Sequence, residues 1–118
     1  MARTSRRQGL GRQSEPGVLI LTSLASGPKH GYALLKDIER FAGTTLGPGT
    51  LYGAISRLEA RGFIRPTAGD ARRQPYEITA LGRRALEEAA AEMRTVAAEA
   101  ASRLATTVRA TTKFRWAP

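Results

Sequence analysis

The chain has 118 residues, enough for one small domain built on one modest core. It contains no cysteine and a single histidine, His30, so a disulfide framework and a thiolate or multi-histidine zinc site are excluded. The formal net charge of +9 points to a polyanionic partner, while no apolar run approaches membrane-spanning length; no membrane partner is expected.

Residues 1–13 are polar, rich in Gly, Ser and Arg, and lack periodicity, which reads as a disordered basic arm. The arm also lacks the apolar stretch of a signal peptide, so a soluble, cytoplasmic, nucleoid-associated protein is expected. Pro16 opens a helix through Val18, Leu19, Leu21, Leu24 and Ala25, stopped by Gly27-Pro28. Residues 18–21 alone also fit a buried strand, but the recurrence at Leu24 and Ala25 favours a helix. A second helix is predicted from about His30 to Phe41, with Tyr32, Leu34, Leu35, Ile38 and Phe41 facing inward, and breaks at Gly43.

The stretch 46–65 is the densest in signals. Gly47-Pro48-Gly49-Thr50 is a turn ending in a good N-cap, so a third helix is expected to begin near Thr50. Leu51, Ile55 and Leu58 share one face, with Ala54 at its edge. At about 100° per residue, Gly53, Ser56 and Arg57 point away from that face, flanked by Thr50 and Tyr52. An outward glycine costs a helix about 1 kcal/mol relative to alanine. Close approach of the backbone to a groove wall or phosphate is one physical use for it. Gly62 ends the helix, and extended segments follow at 63–67 and 75–79, joined by a loop that carries Arg72 and Arg73 near its tip.

Thr79 reads as the N-cap of a long helix from 80 to about 107. Leu86, Met93 and Ala100 are spaced by seven, as are Ala90, Ala97 and Leu104, which is the seam of a helix pair. The stripe could pack on its own domain. A helix of about 28 residues is about 40 Å long, however, more than three short helices can cover, so self-association is expected. Residues 108–118 form a basic tail with the sole tryptophan, Trp116.

The charge follows this division. The excess lies in the arm, in residues 47–76 and in the tail from Thr107, while residues 14–46 and 78–106 each balance at zero. Clustering of this kind is the footprint of polyanion binding. Sixteen of the nineteen basic residues are arginine, which suits bidentate contact with phosphate or guanine. The fold class is therefore mainly α with a small β-hairpin, a winged helix-turn-helix over 14–79 followed by a dimerisation helix over 80–107.

Several blocks resemble the PadR-like transcriptional regulators of bacteria. They are Val18 to Leu24 followed by Gly27-Pro28-Lys29-His30-Gly31-Tyr32, then Leu46-Gly47-Pro48-Gly49-Thr50-Leu51-Tyr52, then Arg57-Leu58 with Gly62-Phe63-Ile64. Tyr76-Glu77-Ile78-Thr79 and Leu81-Gly82-Arg83 complete the series. The resemblance implies a homodimer that binds double-stranded operator DNA and represses, with a small-molecule effector releasing DNA in some members. It places the helix carrying Thr50, Tyr52, Gly53, Ser56 and Arg57 in the major groove and Arg72 and Arg73 on adjacent backbone or minor groove. Tyr32 reads as core and His30 as a local hydrogen-bonding residue at a helix start. Tyr52 can contact DNA or cover the gap between helices. Family members that bind drugs sandwich them between aromatics at the dimer interface, and residues 80–108 hold none.

No metal, cofactor or enzymatic activity is expected. The competing function is a winged-helix RNA-binding or protein-interaction module, since fold alone does not fix function. Against RNA stands the lack of an aromatic stacking platform.

Overall fold

The computed structural model describes residues 15–70 and 72–116, with side chains through residue 107. The expected arm at 1–13 lies outside the described residues, as do the side chains of the expected tail, Trp116 included. The elements run α1 (Pro16–Leu24), α2 (Gly31–Ala42), α3 (Pro48–Ala60), β1 (Ile64–Pro66), β2 (Tyr76–Ile78) and α4 (Ala80–Trp116).

Three short helices enclose the core. Leu19, Ile20, Leu21 and Leu24 of α1 meet Leu34 and Ile38 of α2 and Leu51, Ala54, Ile55 and Leu58 of α3, and Ile64 of β1 closes the cluster. Each fully buried leucine or isoleucine contributes about 1.5–3 kcal/mol of transfer free energy, so these positions fix the helix directions. A polar knot joins α1 to α2 beside this core. The buried Ser23 donates its hydroxyl to Asp37 Oδ2 at 2.6 Å, and Lys29 Nζ donates to the Ser23 carbonyl at 2.5 Å.

The local chemistry explains the boundaries. Pro16 and Pro48 both stand in the first turn of their helices, where a missing N–H costs nothing. That shifts the start of α3: Gly47, not Thr50, is the N-cap, its carbonyl accepting the Leu51 N–H at 2.9 Å. Thr50 thus stands within the first turn and keeps its side chain exposed. Gly62, at φ 79°, reverses the chain after α3 in a conformation that most side chains disfavour. Thr79 does cap α4. Its Oγ1 accepts the Gly82 N–H at 3.0 Å and donates to the Gly62 carbonyl at 2.6 Å, tying the end of α3 to the start of α4.

The two strands pair antiparallel with Ile64 opposite Ile78, Arg65 opposite Glu77 and Pro66 opposite Tyr76. They are shorter than the expected 63–67 and 75–79. A further bridge extends this sheet: Lys29 and Tyr76 exchange backbone hydrogen bonds at 3.1 and 2.9 Å. The wing is thereby fastened to the turn that precedes α2.

Helix α4 runs 37 residues, about 55 Å, past Thr107 to Trp116. Its start is held by Arg83, which donates to the Ala25 carbonyl at 3.3 Å, and Leu86 packs against the core cluster. Beyond Met93 every described side chain of α4 is exposed.

Candidate nucleic-acid interface

Helix α3 buries Leu51, Ala54, Ile55 and Leu58 and turns the rest of its circumference outward. The outward ridge is Gly49 and Gly53, almost bare of side chain. Thr50 and Arg57 flank it on one side, Tyr52 and Ser56 on the other, as the 100° spacing requires. Thr50, Tyr52, Ser56 and Arg57 are exposed and Gly53 is half-buried. A Cβ added at Gly53 would meet only the Arg57 guanidinium, at 3.5 Å. No packing constraint within the fold therefore requires glycine there.

Each flank borders a different depression. Thr50, Arg57 and Arg61 line a groove of about 800 Å³ whose opposite wall is Glu15, Pro16 and Gly17. The sequence places the basic residues 1–13 directly before that wall. On the other flank, Tyr52 shares a depression of about 370 Å³ with the start of α2 and the wing residues Arg72 and Arg73.

Polar groups of the described wing residues bond to one another. Asp70 Oδ1 accepts the backbone N–H groups of Arg72 and Arg73 at 2.9 and 2.8 Å. Those bonds, that of Arg73 first, hold its carboxyl below the usual range. Gln74 Nε2 donates to the Thr67 and Pro75 carbonyls at 2.8 and 2.9 Å, closing the base of the loop. Arg72 and Arg73 remain exposed at its tip. Their charges contrast with Arg65, which is spent on Glu77 across the strands at 2.5 Å. Among the described residues, Arg57, Arg72 and Arg73 make no ion pair.

Two residues depart from the sequence reading. Tyr32, expected in the core, is 65% exposed, with Lys36 Nζ 5.9 Å from its ring centroid. It stands two positions before the buried Leu34, about 200° around the helix and so on the opposite face; phase, not aromatic character, sets its side. Phe41 shares the inward phase but lies beyond the core at the helix end, and is 39% exposed. His30 does stand at a helix start, as the N-cap of α2, yet its side chain makes no capping hydrogen bond.

The seam residues divide into two groups. Leu86, Ala90 and Met93 are half-buried, Leu86 against the core of its own domain, whereas Ala97, Ala100 and Leu104 are exposed. Val96, at 68% exposure, adds to the Leu104 side at the edge of that stripe, a residue the strict seven-residue spacing passed over.

Three helices, a bridged two-stranded wing and a helix that presents its bare ridge beside that wing define a winged helix-turn-helix protein. Residues 20–88 match the transcriptional regulator PadR-like family. The chain is 45% identical over 82 residues to an uncharacterized 37.1 kDa protein in a transposon of Streptomyces fradiae, covering 70% of this chain but only 24% of that protein. Its fold is similar to a transcriptional regulator from Clostridium thermocellum, with 28% identity, a TM-score of 0.63, and 68% of this chain and 83% of that one covered. A PadR family transcription regulator from Clostridium difficile superimposes with a TM-score of 0.70 at 24% identity, covering 77% of this chain and 99% of that one. A PadR-like transcriptional regulator from Bacillus cereus gives a TM-score of 0.68 at 21% identity, covering 86% and 96%. The chain belongs to the PadR-like family of transcriptional regulators.

Among the described residues, no helix is long and apolar enough to cross a membrane, and no group of His, Asp and Glu could hold a metal ion.

Proposed function

We propose that the protein is a sequence-specific DNA-binding repressor that acts as a homodimer in the bacterial cytoplasm, on the nucleoid. The observation that carries this reading is the outward face of α3. A glycine ridge without internal packing need lies between Thr50 and Arg57 on one side and Tyr52 and Ser56 on the other. A helix so shaped can lie deep in the major groove, its backbone close to the base edges while the flanking side chains reach them. Arg72 and Arg73 on the wing supply sequence-independent attraction to phosphates. Residues 14–79 form the DNA-binding unit. Residues 80–107 dimerise it through Leu86, Ala90, Met93, Ala97, Ala100 and Leu104, and two half-sites about one helical turn apart follow from the two-fold symmetry.

The test is an equilibrium titration of the full chain against duplex DNA and against single- and double-stranded RNA of equal length, over a range of salt. Duplex DNA is expected to bind most tightly, and Arg72→Ala with Arg73→Ala should weaken all duplexes alike and lower the salt slope by about two. Equal or tighter binding to RNA would favour the RNA-binding module instead.

A further inference from the structure

The depression on the Tyr52 flank has a composition that the expected contacts leave unexplained. Its wall includes His30, Tyr32, Tyr52, Arg72, Arg73 and Tyr76, drawn from the start of α2, from α3 and from both ends of the wing. Among the described residues no carboxylate lines it, although Glu59 acts on Tyr76, and Asp70 and His30 on each other, through their charges. Asp70, the acid of the wing loop, already accepts two backbone N–H groups through Oδ1. The amide of Gln74 is likewise committed to the Thr67 and Pro75 carbonyls. What remains to face a ligand is a set of phenol hydroxyls, an imidazole and two guanidinium groups.

Two of the phenols are held in place. Tyr52 lies against Gly31 with its hydroxyl closest to the glycine, and the Lys29–Tyr76 bridge sets Tyr76 beside the start of α2. Lys36 stands over the Tyr32 ring and adds positive charge nearby. A depression so rich in donors fits a tetrahedral anion. It opens on the flank of α3, not on the ridge aimed at base edges, so a duplex seated on α3 would present backbone there.

We infer that this depression seats one phosphate of the DNA backbone, held by the hydroxyls of Tyr32 and Tyr52 and by the guanidinium groups of Arg72 and Arg73. The inference rests on the DNA-binding reading and deepens it by making Tyr32 a positioning residue. By gripping one phosphate between α2, α3 and the wing, the clamp fixes the depth and register of α3 in its groove without reading sequence. Inorganic phosphate shares the chemistry of the phosphodiester, and the test separates the two.

The experiment uses the full chain and a duplex recovered by selection, with methylphosphonate replacing one backbone phosphate at a time across a half-site. At one position the neutral group should weaken wild-type binding about tenfold, the scale of a lost hydrogen bond to a charged group. Tyr32→Phe, which removes an exposed hydroxyl and nothing from the core, should weaken the unmodified duplex by about the same factor. At that same position it should lose less than about twofold more. Sequence preference and salt slope should not change, because the phenol carries no charge. Identical methylphosphonate profiles for the two proteins, or wild-type affinity in Tyr32→Phe, would overturn the clamp. Displacement of DNA by millimolar inorganic phosphate beyond its effect as salt would overturn the backbone assignment in favour of a free anion. A wild-type chain that binds no duplex would overturn the DNA reading itself, and is recognised without any variant.

Discussion

The ring of Tyr52 from α3 lies against the α-carbon of Gly31 at the start of α2, so closely that a methyl group there would collide with the phenol hydroxyl. The contact joins the two helices of the helix-turn-helix at their exposed edge and sets the direction of a ring that is 52% exposed. Gly31→Ala should push that ring outward at a stability cost of at most about 1 kcal/mol, since the ring has room to swing. Duplex affinity should fall to the level of Tyr52→Ala, and the double variant should be no worse than either single change. Additive losses in a titration would mean that the glycine does not act through the tyrosine.

Gly53 separates stability from function. Alanine there meets only the Arg57 guanidinium at ordinary contact distance. It should therefore stabilise α3 by up to about 1 kcal/mol in urea denaturation. The same methyl group should hold the helix away from the groove and weaken duplex binding by about tenfold or more. A variant both more stable and equally tight would remove the argument for close approach.

The Ser23–Asp37 knot gives a pH signature. The Ser23 hydroxyl first, and then Arg40 at 2.7 Å, hold the Asp37 carboxyl below its ordinary value. A carboxyl depressed by folding stabilises the fold above its unfolded pKa, near 4, and the contribution is lost as pH falls through the lower folded value. Asp37→Asn should therefore be less stable than the parent at pH 7, by about 1–2 kcal/mol. The gap should close as pH drops below about 4. A gap independent of pH would show that the amide replaces the carboxylate only in packing.

The exposed part of α4 should carry the dimer. Met93→Glu with Leu104→Glu places charge in the middle and at the far end of the stripe and should yield a monomer in sedimentation equilibrium. Neither change removes a core residue, since Leu104 is 66% exposed and Met93 is half-buried outside the core cluster. A protein that stays dimeric would contradict the seam.

Much of this architecture is legible in the sequence because its punctuation is strong. Gly27-Pro28, Gly43, Gly47-Pro48 and Gly62 bound the helices, and the phase of Leu51, Ile55 and Leu58 alone sets the outward face of α3. The start of α3 is less legible: Thr50 is a good capping residue, yet Pro48 is a better first residue than it is an interruption. Tyr32 is exposed because helical phase, not residue type, decides which face it joins. The Lys29–Tyr76 bridge is one residue pair across 47 positions and leaves no periodic trace. Nor does the apolar stripe mark the end of α4: Ala, Arg and Lys continue to favour helix after it has faded. The depression beside Tyr52 needed all three elements in place before it could be seen.

Selection of bound duplexes from a random pool by the full chain tests the central claim most directly. The expected product is a palindrome with half-sites about one helical turn apart, whose base preferences change in Ser56→Ala and Arg57→Ala but survive in Arg72→Ala with Arg73→Ala. Recovery of no shared motif, or of the same motif by all these variants, would contradict sequence reading by α3.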